Sequence, residues 1–85
     1  MRKVLLYALS TCPWCMKTKK FFKDNKVDFE FVDYDLADDA MQEKILADIS
    51  KRGGGSGFPY VIIDDKEIIV GYNPERLAKV LGLRK

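Results

Sequence analysis

Cys12 and Cys15 are the only cysteines in the chain, with Pro13 and Trp14 between them. Sulfurs at this spacing have four uses. They can close a structural bridge, hold a metal, cycle between dithiol and disulfide, or sit as incidental thiols. A bridge closing so short a loop removes little entropy from the unfolded chain, so it makes a poor staple. A closed four-ligand zinc site needs more than two cysteines, and the chain has no histidine to complete it. The lack of histidine also removes every imidazole acid–base scheme. Dithiol redox chemistry, a metal or iron–sulfur centre shared between two chains, and incidental thiols remain.

The flanking residues decide what the sulfurs experience. Val4 to Ala8 is a continuous apolar run, which suits a central strand covered on both faces. Pro13 suits the first position of a helix, where its missing N–H costs nothing. Cys12 then becomes the N-cap. The helix is expected to end near Asn25, with Cys15, Thr18, Phe21 and Phe22 on one side and Lys17, Lys19, Lys20 and Lys23 on the other. A sulfur at such a helix start faces the free N–H groups of Trp14 and Cys15 and the positive end of the macrodipole. In Cys-X-X-Cys motifs these influences lower the pKa from about 8.5 to about 7 or below. At neutral pH the thiolate fraction then rises from a few per cent to roughly half or more. Cys15, one turn on and less exposed, is placed to attack the Cys12 sulfur. The expected division of labour is that Cys12 attacks a substrate disulfide and Cys15 resolves the mixed disulfide.

The remaining elements complete the frame. Val27, Phe29 and Phe31 alternate with Asp28 and Glu30, which predicts an edge strand. Asp38 or Asp39 caps a second helix carrying Met41, Ile45, Leu46 and Ile49, and the helix stops at Gly53. The run Gly53 to Gly57 is a loop that frees the segment before Pro59 to move; it lacks the Lys-Ser/Thr ending of a phosphate-binding loop. Tyr60–Ile63 and Glu67–Val70 predict a hairpin. Asn73, Pro74, Glu75 and Gly82 punctuate a last helix with Leu77, Val80 and Leu81 inward. The order is β-α-β-α-β-β-α: a parallel crossover extended by an antiparallel hairpin, with helices on both faces. The acidic residues between Asp28 and Asp48 read as a solvated surface.

At 85 residues the chain predicts one domain, residues 1–85, with a single small core. A hydrophobic content of 47% argues for a packed globule. A net charge of +2 with mixed signs is not the footprint of a nucleic-acid binder. The basic start Met1-Arg2-Lys3 precedes an apolar run too short for a secretory signal or a membrane span. The expected location is the cytoplasm, where thiols are kept reduced and a close cysteine pair is catalytic more often than structural.

Ser10-Thr11-Cys12-Pro13-Trp14-Cys15 after a short buried strand resembles the glutaredoxin active site. Phe58-Pro59-Tyr60 is similar to the family's X-Pro motif, which implies that Pro59 is cis and faces the sulfurs. Gly71 matches the first glycine of the family's C-terminal motif. The resemblance spans essentially the whole chain and implies an α/β thioredoxin fold, with a four-stranded mixed sheet flanked by helices. It implies a small dithiol–disulfide oxidoreductase with Cys12 as nucleophile and Cys15 as resolving thiol. Thr11, Trp14, Phe58, Pro59, Gly71 and Tyr72 would line the substrate groove. No bound cofactor and no metal is implied; the redox-active Cys12–Cys15 disulfide carries the electrons, with glutathione as a candidate co-substrate.

The sequence departs from the family pattern at three places. Leu9 stands where a lysine usually helps bind the glutathione carboxylate, Gly57-Phe58 replaces Thr-Val, and Gly71-Tyr72-Asn73-Pro74 replaces a Gly-Gly run. That last segment is similar to NrdH-type redoxins, which are reduced by thioredoxin reductase and donate electrons to ribonucleotide reductase. The implied partners are disulfide-bearing proteins, ribonucleotide reductase among them, with a thioredoxin-reductase-like flavoenzyme or glutathione as electron donor. The implied state is a monomer. The competing reading, a metal or iron–sulfur carrier built from the cysteine pairs of a dimer, predicts coloured or metal-loaded protein. Lys17 and Lys20 read as a solvated face; the functional alternative is that they favour the Cys12 thiolate or steer an acidic partner.

Overall fold

A computed structural model describes residues 3–55 and 57–83. Met1 and Arg2 of the basic start, and Ser56 of the glycine run, lie outside the described residues. The elements are β1 (Val4–Ala8), α1 (Pro13–Asp24), β2 (Glu30–Asp33), a 3-10 turn (Tyr34–Leu36), α2 (Asp39–Arg52), β3 (Tyr60–Ile63), β4 (Glu67–Val70) and α3 (Pro74–Leu81). The sheet runs in the order β2-β1-β3-β4. β1 pairs parallel with β2, with Leu6 opposite Phe31 and Ala8 opposite Asp33. It pairs antiparallel with β3, and β3 with β4. β1 is therefore a central strand, as its apolar run predicts.

Strand alternation sorts the side chains into two cores. Val4, Leu6, Ala8, Val61, Ile63 and Ile69 meet Cys15 and Phe22 of α1 and Leu77 of α3. Tyr7, Tyr60 and Ile62 meet Ile45 and Ile49 of α2 on the opposite face. Removing a residue such as Phe22, fully buried at 0% exposure, leaves a cavity whose cost is typically about 3–5 kcal/mol.

Helix punctuation follows the sequence closely. The Asp38 carboxylate accepts the Met41 N–H at 2.8 Å, and the Asn73 side-chain oxygen Oδ1 accepts the Arg76 N–H at 3.1 Å. Such caps contribute about 1 kcal/mol each. Gly53 and Gly82 end α2 and α3 with positive φ.

Three expectations are corrected, and the glycine loop shows one close approach. The second strand begins at Glu30 rather than Val27, because the Val27 N–H is taken by the Phe22 carbonyl at 2.8 Å in closing α1. Val27 and Phe29 still pack on the first core from this connection, while Phe31 is 47% exposed under the Lys19 ammonium, 4.2 Å from its ring centroid. The 3-10 turn follows β2 directly and has no counterpart in the expected element order. Met41 and Leu46 are exposed, leaving Ile45 and Ile49 as the buried residues of α2. Around Gly54 the glycine loop is pressed against the hairpin. A Cβ on Gly54 would lie 2.9 Å from Ile68 Cγ2, and its φ is +83°.

Candidate active site

β1 delivers the chain to the site. Beyond Ala8, the Cys12 N–H donates to the Leu9 carbonyl at 3.2 Å, closing a tight turn over Ser10 and Thr11. Pro13 starts α1, and Cys12 is its N-cap in an extended conformation. Cys12 Sγ completes no full capping hydrogen bond, but it lies close enough to the first free N–H groups of α1 to feel them. Cys12 is half-buried, Cys15 is fully buried, and both are free thiols.

The two sulfurs titrate in opposite directions. Partial burial opposes charge on Cys12, but the Cys15 N–H, the Cys15 thiol and the Trp14 N–H outweigh it and hold the Cys12 thiol below its ordinary value. Burial pushes the Cys15 thiol up to about 11; the neighbouring Cys12 adds to the rise, while the Leu9 N–H and the charge of Lys19 oppose it. The Leu9 N–H donates to Cys15 Sγ at 3.4 Å.

The lysines of α1 make contacts of their own, and none of them is among the groups that lower the Cys12 thiol. Lys17 stands over the Trp14 ring, 4.7 Å from its centroid. Lys20 pairs with Asp24 at 3.2 Å. The Cys12 thiol is lowered by N–H groups and by its partner sulfur. Lys19, paired with Asp33 at 2.9 Å with both side chains largely covered, acts on Cys15.

Trp14, Phe58, Pro59, Gly71 and Tyr72 converge on one open groove of about 250 Å³. Trp14 is 54% exposed and stacks on Tyr72, with centroids 6.0 Å apart and planes 25° apart. The Phe58–Pro59 peptide is cis. The Pro59 carbonyl accepts the Gly71 N–H at 2.8 Å, tying the start of β3 to the end of β4. Thr11 is exposed in the turn beside Cys12, outside the residues that line this groove. A larger cavity of about 470 Å³ lies between β1 and α2, lined by Lys3, Tyr7, Asp48 and Arg52 among others. Neither sulfur lines this cavity or the smaller groove; Trp14, between the two cysteines in sequence, ties the groove to the site, whereas the carboxylates of the cavity pair with Tyr7, Arg52 and Lys3.

The acidic stretch is more than solvated surface. Ser10 donates its N–H to Asp35 Oδ1 at 2.8 Å, and its hydroxyl to the other carboxylate oxygen. Tyr34 lies against Phe58 with centroids 5.5 Å apart. No residue-type motif marks Tyr34 or Asp35. The parallel pairing does contain a signal: it sets the ends of β1 and β2 side by side, so the residues just past β2 meet those just past β1.

With this geometry in hand, comparison with known proteins places the fold. The glutaredoxin family model matches residues 4–68. A glutaredoxin-like 8.6 kDa protein encoded in the rubredoxin operon of Clostridium pasteurianum is 38% identical over 78 residues, covering 92% of this chain and 96% of that protein. The crystal structure of methanoredoxin from Methanosarcina acetivorans superposes with a TM-score of 0.90 at 37% identity, over 95% of this chain and 85% of that one. A glutaredoxin from Archaeoglobus fulgidus gives 0.84 at 34% identity, over 95% and 87%. The architecture is that of the thioredoxin superfamily. Within it, the chain belongs to the glutaredoxin family.

Proposed function

We propose that the protein is a dithiol–disulfide oxidoreductase that reduces protein or glutathione mixed disulfides through Cys12 and Cys15. The observation that carries this reading is the placement of the sulfurs. Cys12 is accessible at the start of α1 against the N–H groups of Trp14 and Cys15, and Cys15 is buried one turn below it. The Cys12 thiolate attacks one sulfur of a substrate disulfide, forming a mixed disulfide and releasing the other sulfur as a thiolate. Cys15 then attacks the Cys12 sulfur, its proton passing to the second departing substrate thiolate, while water protonates the first. The products are a Cys12–Cys15 disulfide and two substrate thiols. A two-electron donor restores the dithiol.

Trp14, Phe58, Pro59, Gly71 and Tyr72 form the docking groove in this reading, and Thr11 meets substrate from the turn beside Cys12. Phe58 stands ahead of β3, outside the sheet register, where its backbone can pair with an extended substrate segment. Gly71-Tyr72 and Leu9 favour a thioredoxin-reductase-like flavoenzyme over glutathione as donor. Ribonucleotide reductase is a candidate electron acceptor, and the cytoplasm the expected compartment. Among the described residues, no helix is long and apolar enough to cross a membrane.

The deciding experiment follows NADPH oxidation in two arms, one with glutathione and its reductase and one with thioredoxin reductase. Turnover in the flavoenzyme arm supports the reading in full, and turnover in the glutathione arm alone reverses the choice of donor. Turnover in neither arm, with metal bound by a dimer through its cysteines, establishes the carrier alternative instead.

A further inference from the structure

The 3-10 turn Tyr34–Leu36 touches both halves of the site, and neither contact belongs to the thiol motif. On one side, the Asp35 carboxylate takes both donors of Ser10. Ser10 is the first inner residue of the turn closed by the Cys12 N–H on the Leu9 carbonyl. Fixing Ser10 therefore fixes the direction in which Cys12 leaves β1 and enters α1. On the other side, Tyr34 packs on Phe58 at 5.5 Å, immediately before cis-Pro59 in the groove. The turn itself is anchored, because the Gln42 side-chain amide donates to the Tyr34 carbonyl at 2.9 Å.

We propose that Asp35 and Tyr34 are positioning residues that brace the site. Asp35 holds the turn that presents Cys12, Tyr34 holds Phe58, and one short turn thereby sets the separation of the nucleophile from the docking groove. The Tyr34 half rests on the dithiol reading above; the Asp35 half rests on geometry alone. The Ser10 bonds also hold the Asp35 carboxyl below the usual carboxylate range, with the charge of Lys19 assisting. The carboxylate is therefore ionised and fully accepting at neutral pH.

A brace and a bare charge have opposite signatures. A negative charge near a thiol disfavours the thiolate, so deleting the charge alone would make Cys12 more acidic. Deleting a brace loosens the sulfur from the N–H groups of Trp14 and Cys15 and makes it less acidic. The test is the pH profile of Cys12 alkylation by iodoacetamide, read by peptide mapping, with circular dichroism to confirm folding. Asp35→Ala should move the midpoint up and slow alkylation at pH 7 about fivefold, the equivalent of one hydrogen bond. Ser10→Ala should move it the same way, and the double variant should go no further than Asp35→Ala. Asp35→Asn, which keeps an acceptor, should stay within about twofold of wild type. A downward midpoint in both Asp35 variants, or no movement in either, overturns the brace.

For the second half, Tyr34→Ala should raise KM for a disulfide-bonded peptide while leaving the Cys12 midpoint in place, and Tyr34→Phe should restore KM. An unchanged KM in Tyr34→Ala overturns that half. If the wild type reduces no disulfide at all, the functional reading fails, and the alkylation profiles still decide the role of Asp35.

Discussion

The backbone N–H of Leu9 donates to the sulfur of Cys15 at 3.4 Å. The first residue past the central strand thus touches the buried thiol directly, and the same residue's carbonyl closes the turn that presents Cys12. One peptide segment serves both sulfurs: its carbonyl shapes the turn of the accessible one, and its N–H favours negative charge on the hidden one.

Cys12 should therefore be alkylated at neutral pH and Cys15 left almost untouched. A thiol with its midpoint at about 11 is ionised to roughly one part in ten thousand at pH 7. Peptide mapping after brief iodoacetamide treatment should show Cys12 reacting more than about a hundredfold faster. Cys15→Ser should accumulate mixed disulfides as an added mass removed by reductant, and Cys12→Ser should abolish disulfide reduction.

Cys15 should also make the fold sensitive to alkali. Its folded value is raised to about 11, so its contribution is fully present below the unfolded thiol value and is lost as pH rises toward 11. The urea midpoint should fall from about pH 8.5 upward, the ordinary thiol value. Cys15→Ser should blunt the early part of that fall. Tyr7 and Tyr60, also raised with burial as the leading cause, act with the same sign at higher pH.

Lys19 and Asp33 are largely covered, at 20% and 15% side-chain exposure. Breaking a fully buried pair costs about 3–5 kcal/mol and an exposed one about 0–1. Lys19→Gln should fall between them, at about 1–3 kcal/mol by urea unfolding. The same change should move Cys15 titration further up, because Lys19 is the cation that favours its thiolate. A loss of stability with no movement of Cys15 would restrict Lys19 to a structural role.

Tyr7 donates to Asp48 at 2.5 Å, and Arg52 to the other carboxylate oxygen at 2.9 Å. Partial burial opposes ionisation of Asp48, but these two donors outweigh it and hold the carboxyl below its usual range. A depressed carboxylate contributes stability above its unfolded value and loses it as pH falls through the folded one. Tyr7→Phe should lower stability by about 1–2 kcal/mol at neutral pH. The difference from wild type in thermal midpoints should shrink toward pH 3.

Most of the frame is legible in the chain because local rules and tertiary packing agree. β1, the hairpin and the last helix fall at their expected residues, each marked by an apolar run, β-rich pairing or paired caps such as Asn73 and Gly82. Cys12, Cys15 and the groove residues are visible as motifs. What escapes is set by contacts distant in sequence. Asp35 meets Ser10 across 25 residues, and Lys19 meets Asp33 across 14. Nothing in an aspartate-rich stretch distinguishes the members that find donors from those that face water. β2 misleads because its alternation begins in the connection from α1, whose last carbonyls capture Val27 before the sheet begins.

The glycine loop ahead of Pro59 shapes how such a chain can diverge. At Gly54 both the backbone angle and the methyl of Ile68 exclude a side chain. A substitution there cannot be absorbed alone; Ile68 and the turn must change with it. A solvent-exposed lysine of α1 such as Lys20, paired only with exposed Asp24, meets no such steric limit and is free to drift. Descendants of this sequence should thus vary in surface charge, and in the partners that charge selects, well before they vary in the loop that leads into the groove.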